Sequence, residues 1–274
     1  MSITKVEART SLGNLQTFEL ADTSAGYIVE DILGIDPVKA TLVSSTFANL
    51  DGAKFQKARR ETRNIILKIK LNPDYIFKTA RELRTQLYSF FNPKTEVSLR
   101  FYMADGLVVN ISGVVETCEA PLFTQEPRID VSIICYDPDF VELDAIEVEG
   151  FTVATTTEFE IDYPGDVPTG ILFTLNLDRD LSEFTIYHRP PDNVLRTFDF
   201  AASLLDNDIL TISSVVGQKF ITLNRSSTIT SLLYGKSPQS NWPALQQGVN
   251  KLRIYAIGAG IPFTISYTPR YGGL

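Results

Sequence analysis

Histidine is nearly absent from this chain: one residue, His188, in 274. One histidine cannot supply a histidine-pair metal site. No G-x-S-x-G elbow accompanies it to suggest a serine triad. Cysteine is almost as scarce, with Cys118 and Cys135 alone, so zinc-like clusters and C-x-x-C redox motifs are excluded. No G-x-G-x-x-G or Walker loop is present, and no cofactor is expected. No apolar run approaches the roughly 20 residues of a membrane-spanning helix, so no membrane insertion is expected. The first residues, MSITKVEART, lack the apolar stretch of a signal peptide. The chain is therefore expected to be made and kept in the cytosol until it joins something larger. Positive charge is in deficit, with a formal net charge of −8. An acidic chain is repelled by nucleic acid, so no sequence-specific nucleic-acid contact is expected.

What is present favours strands. Seventeen phenylalanines and eleven tyrosines carry the aromatic content, and both are strand formers. Residues 1–25 read as an opening strand pair. GYIVEDILGIDP is a short apolar run with glycines at each end and a proline stop. NLDGAKF carries an Asp-Gly turn signal. In RNIILKIKL, Ile65, Leu67, Ile69 and Leu71 alternate with polar residues, as in a half-buried strand. One helix is expected in NPDYIFKTARELRTQLYSFFNP. Asn72 would cap it, Pro73 would take its first position, and Pro93 would end it. Ile76, Ala80, Leu83, Leu87 and Phe90 would form its apolar stripe. Lys78, Arg81, Arg84 and Gln86 would lie on the opposite face, solvated or turned to a protein. EVSLRFYM, LVVNISGVVETCEA and PRIDVSIICYDP read as further strands, the last two a hairpin turning near Thr124. In that register Cys118 would face Arg128–Asp130. Cys135 would then lie too far along its strand for a disulfide. Both are read as reduced, small core residues.

A boundary is placed near residue 145. Before it, strands flanking one helix read as an α+β arrangement. After it, short strand runs separated by turn signals read as an antiparallel β-sandwich. The basic run KFQKARRETRN, 54–64, resembles a nucleic-acid patch. Within an acidic chain it reads better as a strand pair that is solvated or faces another subunit. Asp178 and Asp180 fall in a turn, where carboxylates are solvated. GAG, 258–260, suits a hairpin turn. His188 reads as an ordinary strand-end residue. The only tryptophan, Trp242 in NWPALQQGVNKLRIY, is either a platform for a sugar ring or a large side chain closing the core. Pro243 and Gly248 shape the connection there, and Asn250 can bond backbone groups in a turn. Trp242 is therefore expected to pack across the end of the sandwich with its indole N–H satisfied locally. Nothing in these features points to an enzyme.

Taken in order, the pieces resemble the distal tail proteins of siphophages, long-tailed phages with flexible, non-contractile tails. The resemblance runs through GYIVEDILGID, NLDGAKF, RNIILKIKL, ARELRTQLYSFFNP and SGVVETCEAPLFTQEPRIDVSIICYDPDF. It continues in YPGDVPTG, with Pro164 where asparagine is usual, and in NWPALQQGVNKLRI and ISYTPRYGGL. The resemblance implies a mainly β fold. Residues 1–145 would form a tube-type β-barrel or sandwich with one flanking helix and build a ring. Residues 146–274 would form a galectin-like sandwich facing outward. It also implies a baseplate hub in the virion, a hexameric ring at the end of the tail tube. Its partners would be further copies of itself, the tail tube protein, and the tail-tip, tail-fibre and receptor-binding proteins. DNA would pass through the ring without being read, and six acidic copies would give an acidic lumen. The alternative is a carbohydrate-binding protein using Trp242, His188, Arg189 and Asn193. HRPPDN does not reproduce the spacing of a galectin sugar strand. A third possibility is a tube-subunit homologue that polymerises.

Overall fold

The computed structural model describes residues 2–20, 26–46, 48, 51–74, 76, 78–121 and 127–274. The chain divides into two compact units: residues 1–143 together with 272–274, and residues 144–271.

The strands of the first unit are β1 (Ile3–Thr10), β2 (Leu15–Glu19), β3 (Tyr27–Leu33), β4 (Ala40–Ser45), β5 (Lys54–Arg60) and β6 (Arg63–Leu71). After the helix α1 (Ala80–Phe90) come β7 (Glu96–Met103), β8 (Val108–Glu119), β9 (Arg128–Cys135) and β10 (Phe140–Glu142). One sheet runs in the order β2-β1-β7-β8-β9-β6-β3, and β10 pairs with β8. Neighbouring strands along this path are antiparallel. Alternation in the sequence builds the core directly. Ile65, Leu67 and Ile69 of β6, Leu99 and Phe101 of β7, and Ile129, Val131 and Ile133 of β9 are fully buried. Their polar neighbours point the other way, as the two-residue strand period requires.

The helix is shorter than the sequence suggests. It starts at Ala80, with Thr79 as its N-cap and Glu82 completing a capping box. Asn72 and Pro73 do not begin it. Asp74 Oδ1 instead accepts the backbone N–H groups of Ile76 and Lys78, at 3.1 and 2.9 Å. That local turn competes with helix formation and leaves Ile76 exposed. Leu83, Leu87 and Phe90 remain as the buried stripe. Phe91 stacks on Phe18, and Tyr27 Oη donates to Gln86 Oε1 at 2.9 Å, which ties the helix to β2 and β3.

Cys118 faces Val131, not Arg128–Asp130, because a bulge between Val115 and Thr117 shifts the register of β8 on β9. The turn expected near Thr124 lies outside the described residues. Both cysteines are free, and burial pushes each thiol up to about 11.

The second unit contains β11 (Ile146–Phe151), β12 (Phe159–Tyr163), β13 (Thr169–Gly170), β14 (Leu172–Asn176), β15 (Leu181–Arg189), β16 (Arg196–Leu204) and β17 (Ile209–Ser213). It continues with β18 (Phe220–Arg225), β19 (Thr228–Ser231), a 3-10 turn (Leu233–Gly235), β20 (Ala244–Leu245), β21 (Gly248–Ala256), β22 (Pro262–Tyr267) and β23 (Arg270–Tyr271). A six-stranded sheet, β11-β22-β14-β17-β18-β19, and a four-stranded sheet, β12-β21-β15-β16, enclose one core. Phe173, Ile212 and Ile265 come from the first sheet, and Phe184, Ile186, Phe198 and Ile254 from the second. Phe173 and Phe184 meet at 5.9 Å between ring centroids. Gly258 and Gly260, at φ +77° and +104°, turn the chain from β21 to β22.

Candidate functional site

The sugar-site residues suggested by the sequence are not assembled into a site. His188 lies within β15, is 2% exposed, and places Nε2 3.1 Å from Asn250 Oδ1. The amide of Asn250 is fixed: Nδ2 donates to Gln246 O and Gly248 O, and Oδ1 accepts from Gln246 N. Oδ1 therefore faces the imidazole, and His188 must donate from Nε2. Its Nδ1 is buried without a partner, so the ring is the neutral Nε2–H tautomer. Burial, first among the causes, holds its pKa below the usual 6.5. His188 thus stands at the end of β15, as the sequence suggests, but it is buried there and bonded to Asn250 of β21. Arg189 pairs with Glu158 at 3.5 Å. Asn193 sits in a left-handed turn at φ +57°.

Trp242 is half-buried against the sandwich core. Its ring lies 5.4 Å from that of Phe198, with Lys236 Nζ at 5.6 Å and Lys219 Nζ at 5.7 Å from its centroid. Lys236 is itself held by Ser237 O and Ser240 O at 2.9 and 2.6 Å. The indole is thus engaged by an aromatic neighbour and two ammonium groups, the cation–π arrangement. Asp178 is occupied by Arg179, and Asp180 accepts the Asp206 N–H. Among the described residues, no group of three acid, cysteine or histidine side chains is placed to hold a metal.

The basic run at 54–64 does not form one uniform face. Lys54, Phe55, Lys57 and Arg59 are exposed on β5. Arg60 makes a two-pronged ion pair with Asp139, which is 4% exposed; Nη2 reaches Oδ2 at 3.0 Å. Arg63 is fully buried. Its Nε donates to Pro138 O and its Nη1 to Asp36 O, each at 2.7 Å, with further bonds to Gly34 O and Gly272 O. The guanidinium also lies 4.4 Å from the Phe140 ring centroid. Sequence reasoning grouped Arg63 with its basic neighbours. The missed signal was parity: Arg63 shares the inward face of Ile65, Leu67, Ile69 and Leu71.

Among the described residues, β4 and β5 pair only with each other. Their register sets Leu42 opposite Ala58, Val43 opposite Lys57 and Ser44 opposite Phe55, with an irregularity after Val43. Leu42 is 67% and Phe55 61% exposed. A groove of about 360 Å³ opens on the first unit, with Val97, Val114 and Tyr136 among its lining residues; Tyr136 also faces Thr41 and Arg59 at the base of the ribbon. Glu96, Asp137 and Arg9 supply its charges.

Residues 164–271 match the family described as siphovirus-type tail component, C-terminal domain. The second unit is a siphovirus-type tail component domain. This is a family of phage tail components, not of enzymes. The chain as a whole also shares its fold with the Dit protein of phage SPP1, whose crystal structure is described as a paradigm of the hub adsorption apparatus in phages infecting Gram-positive bacteria. The likeness covers 97% of this chain and 98% of that one, at 14% identity and a TM-score of 0.67. A chain of the phage p2 baseplate, in its activated conformation with strontium, gives 9% identity over 96% of this chain and 97% of its own. Its TM-score of 0.44 is too low to show a shared fold. No curated protein matches the sequence.

Proposed function

We propose that this protein is the hub at the distal end of a siphophage tail, a ring that joins the tail tube to tail-tip and receptor-binding components. The observation that carries the reading is the SPP1 Dit fold over nearly the whole chain, in which the second unit independently matches the tail-component family. Residues 1–145 build the ring and residues 146–274, a galectin-like sandwich, face outward. The ring is a hexamer of this chain. Its partners are the tail tube protein on one side and the tail-tip, tail-fibre and receptor-binding proteins on the other. DNA crosses the channel without being read, consistent with the acidic chain. The protein works in the virion, at the tail tip, and assembles in the host cytoplasm. Negative-stain microscopy of the purified chain is expected to show single closed rings. Long tubes would replace the hub with a polymerising tube subunit. A cryo-EM map with a basic lumen would remove the idea of electrostatic DNA passage.

A further inference from the structure

The β4–β5 ribbon is the least self-sufficient part of the first unit. A two-stranded hairpin is marginal in water unless a face is covered. Here Leu42 and Phe55 are largely exposed, Val43 is 37% exposed, and every residue of β5 is exposed. Cross-strand partners share a face, so Leu42 lies with Ala58 on one side and Val43 with Lys57 on the other. Apolar surface is therefore presented on both faces. The base of the ribbon is nevertheless firmly held, by the Arg60–Asp139 pair.

Charge indicates what covers it. The chain is acidic, with net charge −8. Within residues 40–60, Lys54, Lys57, Arg59 and Arg60 stand against the single acid Asp51. Among the described residues, Lys54, Lys57 and Arg59 make no ion pair. The groove on the same unit has the opposite character: apolar walls of Val97, Val114 and Tyr136, and two acids, Glu96 and Asp137, against Arg9. The ribbon base and the groove adjoin at Tyr136, but Leu42, Val43, Phe55 and Lys57 of the ribbon do not line the groove. A contact between them in neighbouring copies is heterologous and repeats around a ring.

We infer that the β4–β5 ribbon of one copy docks along the Glu96–Asp137 groove of the next. The apolar residues supply the buried contact, and Lys57 and Arg59 meet the acids of the neighbour. The inference rests on the hub reading and names the surface through which copies meet.

The test is sedimentation velocity on the full chain, with circular dichroism and thermal melting as folding controls. Wild type is expected to assemble beyond the monomer. A Leu42→Asp/Phe55→Asp variant, altered only at exposed positions, is expected to weaken self-association by about tenfold or more with its melting temperature kept. Lys57→Glu and Glu96→Lys are each expected to weaken assembly, and mixing or combining them to restore it. A Phe55→Cys/Tyr136→Cys chain is expected to give oxidised cross-linked multimers on a non-reducing gel. If wild type assembles and the folded ribbon variant assembles equally well, the ribbon is not the interface, while the hub reading stands. If the ribbon variant fails to assemble but Glu96→Lys has no effect, and no cross-link forms, the groove assignment is overturned and the ribbon meets another surface. A wild-type chain that stays monomeric at its highest soluble concentration overturns the hub reading and this inference together.

Discussion

At the scale of single residues, the informative side chains are polar groups buried where the sequence shows only their type. His188 stands in IYHRPPDN with nothing beside it to mark it. Its role comes from Asn250, 62 positions away, whose amide is fixed by three backbone bonds. This geometry has a pH consequence. Burial and an unpartnered Nδ1 disfavour the protonated ring, so the folded pKa lies below the unfolded value near 6.5. A depressed folded pKa gives stability that is fully present above about pH 6.5 and is lost as the pH falls through the folded value. The melting temperature of the second unit is therefore expected to hold from pH 8 to 7 and to decline below 6.5. His188→Gln should remove that component of the decline while keeping a donor to Asn250. A wild-type profile that is flat down to pH 5 would contradict the depressed pKa of His188. Asn250 itself was readable, since an asparagine beside a turn is expected to bond backbone groups. Arg63 was readable in part, through its parity on β6. Its four carbonyl acceptors come from segments far apart in the chain, and no local pattern announces them.

At the scale of elements, strands were more legible than the helix. Strand alternation is dictated by which face is buried, and that information is written residue by residue in RNIILKIKL and EVSLRFYM. A helix start depends on which of several polar residues wins the local hydrogen bonds. Asn72-Pro73 is a good start signal, yet Asp74 takes the following N–H groups into a turn of its own. Thr79, with Glu82 three positions on, then closes the capping box. The pattern T-A-R-E was present in the sequence, hidden behind the stronger-looking proline. Thr79→Ala is expected to cost about 1 kcal/mol of first-unit stability, read as a lowered denaturant midpoint. Asn72→Ala should have a far smaller effect. The reverse ranking would return the helix start to Asn72. Register was legible to within one residue: the bulge after Val115 moves Cys118 opposite Val131, and bulges carry little sequence signature unless glycine marks them.

At the scale of the whole molecule, the destination of the last three residues could not be read from the sequence. Gly272–Leu274 belong to the first unit, 209 positions in sequence from the arginine that holds them. Gly272 O accepts from Arg63, and the Leu274 N–H donates to Ile35 O at 3.0 Å. Gly273 leaves no room for a side chain: a Cβ there would approach Pro37 Cδ to 2.7 Å. Arg63 thus gathers the turn at Gly34–Asp36, the loop at Pro138 and the chain end into one hydrogen-bonded point. Removing residues 272–274 takes one acceptor from a buried guanidinium and one donor from Ile35 O, a loss of about 1–3 kcal/mol. Arg63→Ala strands four carbonyls and is expected to cost more, about 3–5 kcal/mol by analogy with breaking a buried charged pair. The two units can be followed separately, because the only tryptophan, Trp242, reports on the second. Hydrogen exchange across β6 and β9 should accelerate in both variants, most in Arg63→Ala, while the Trp242 fluorescence midpoint stays in place. If truncation leaves exchange in β6 unchanged, the chain end is only resting on the first unit. If it lowers the tryptophan midpoint equally, the two units melt as one, and the chain end supports both.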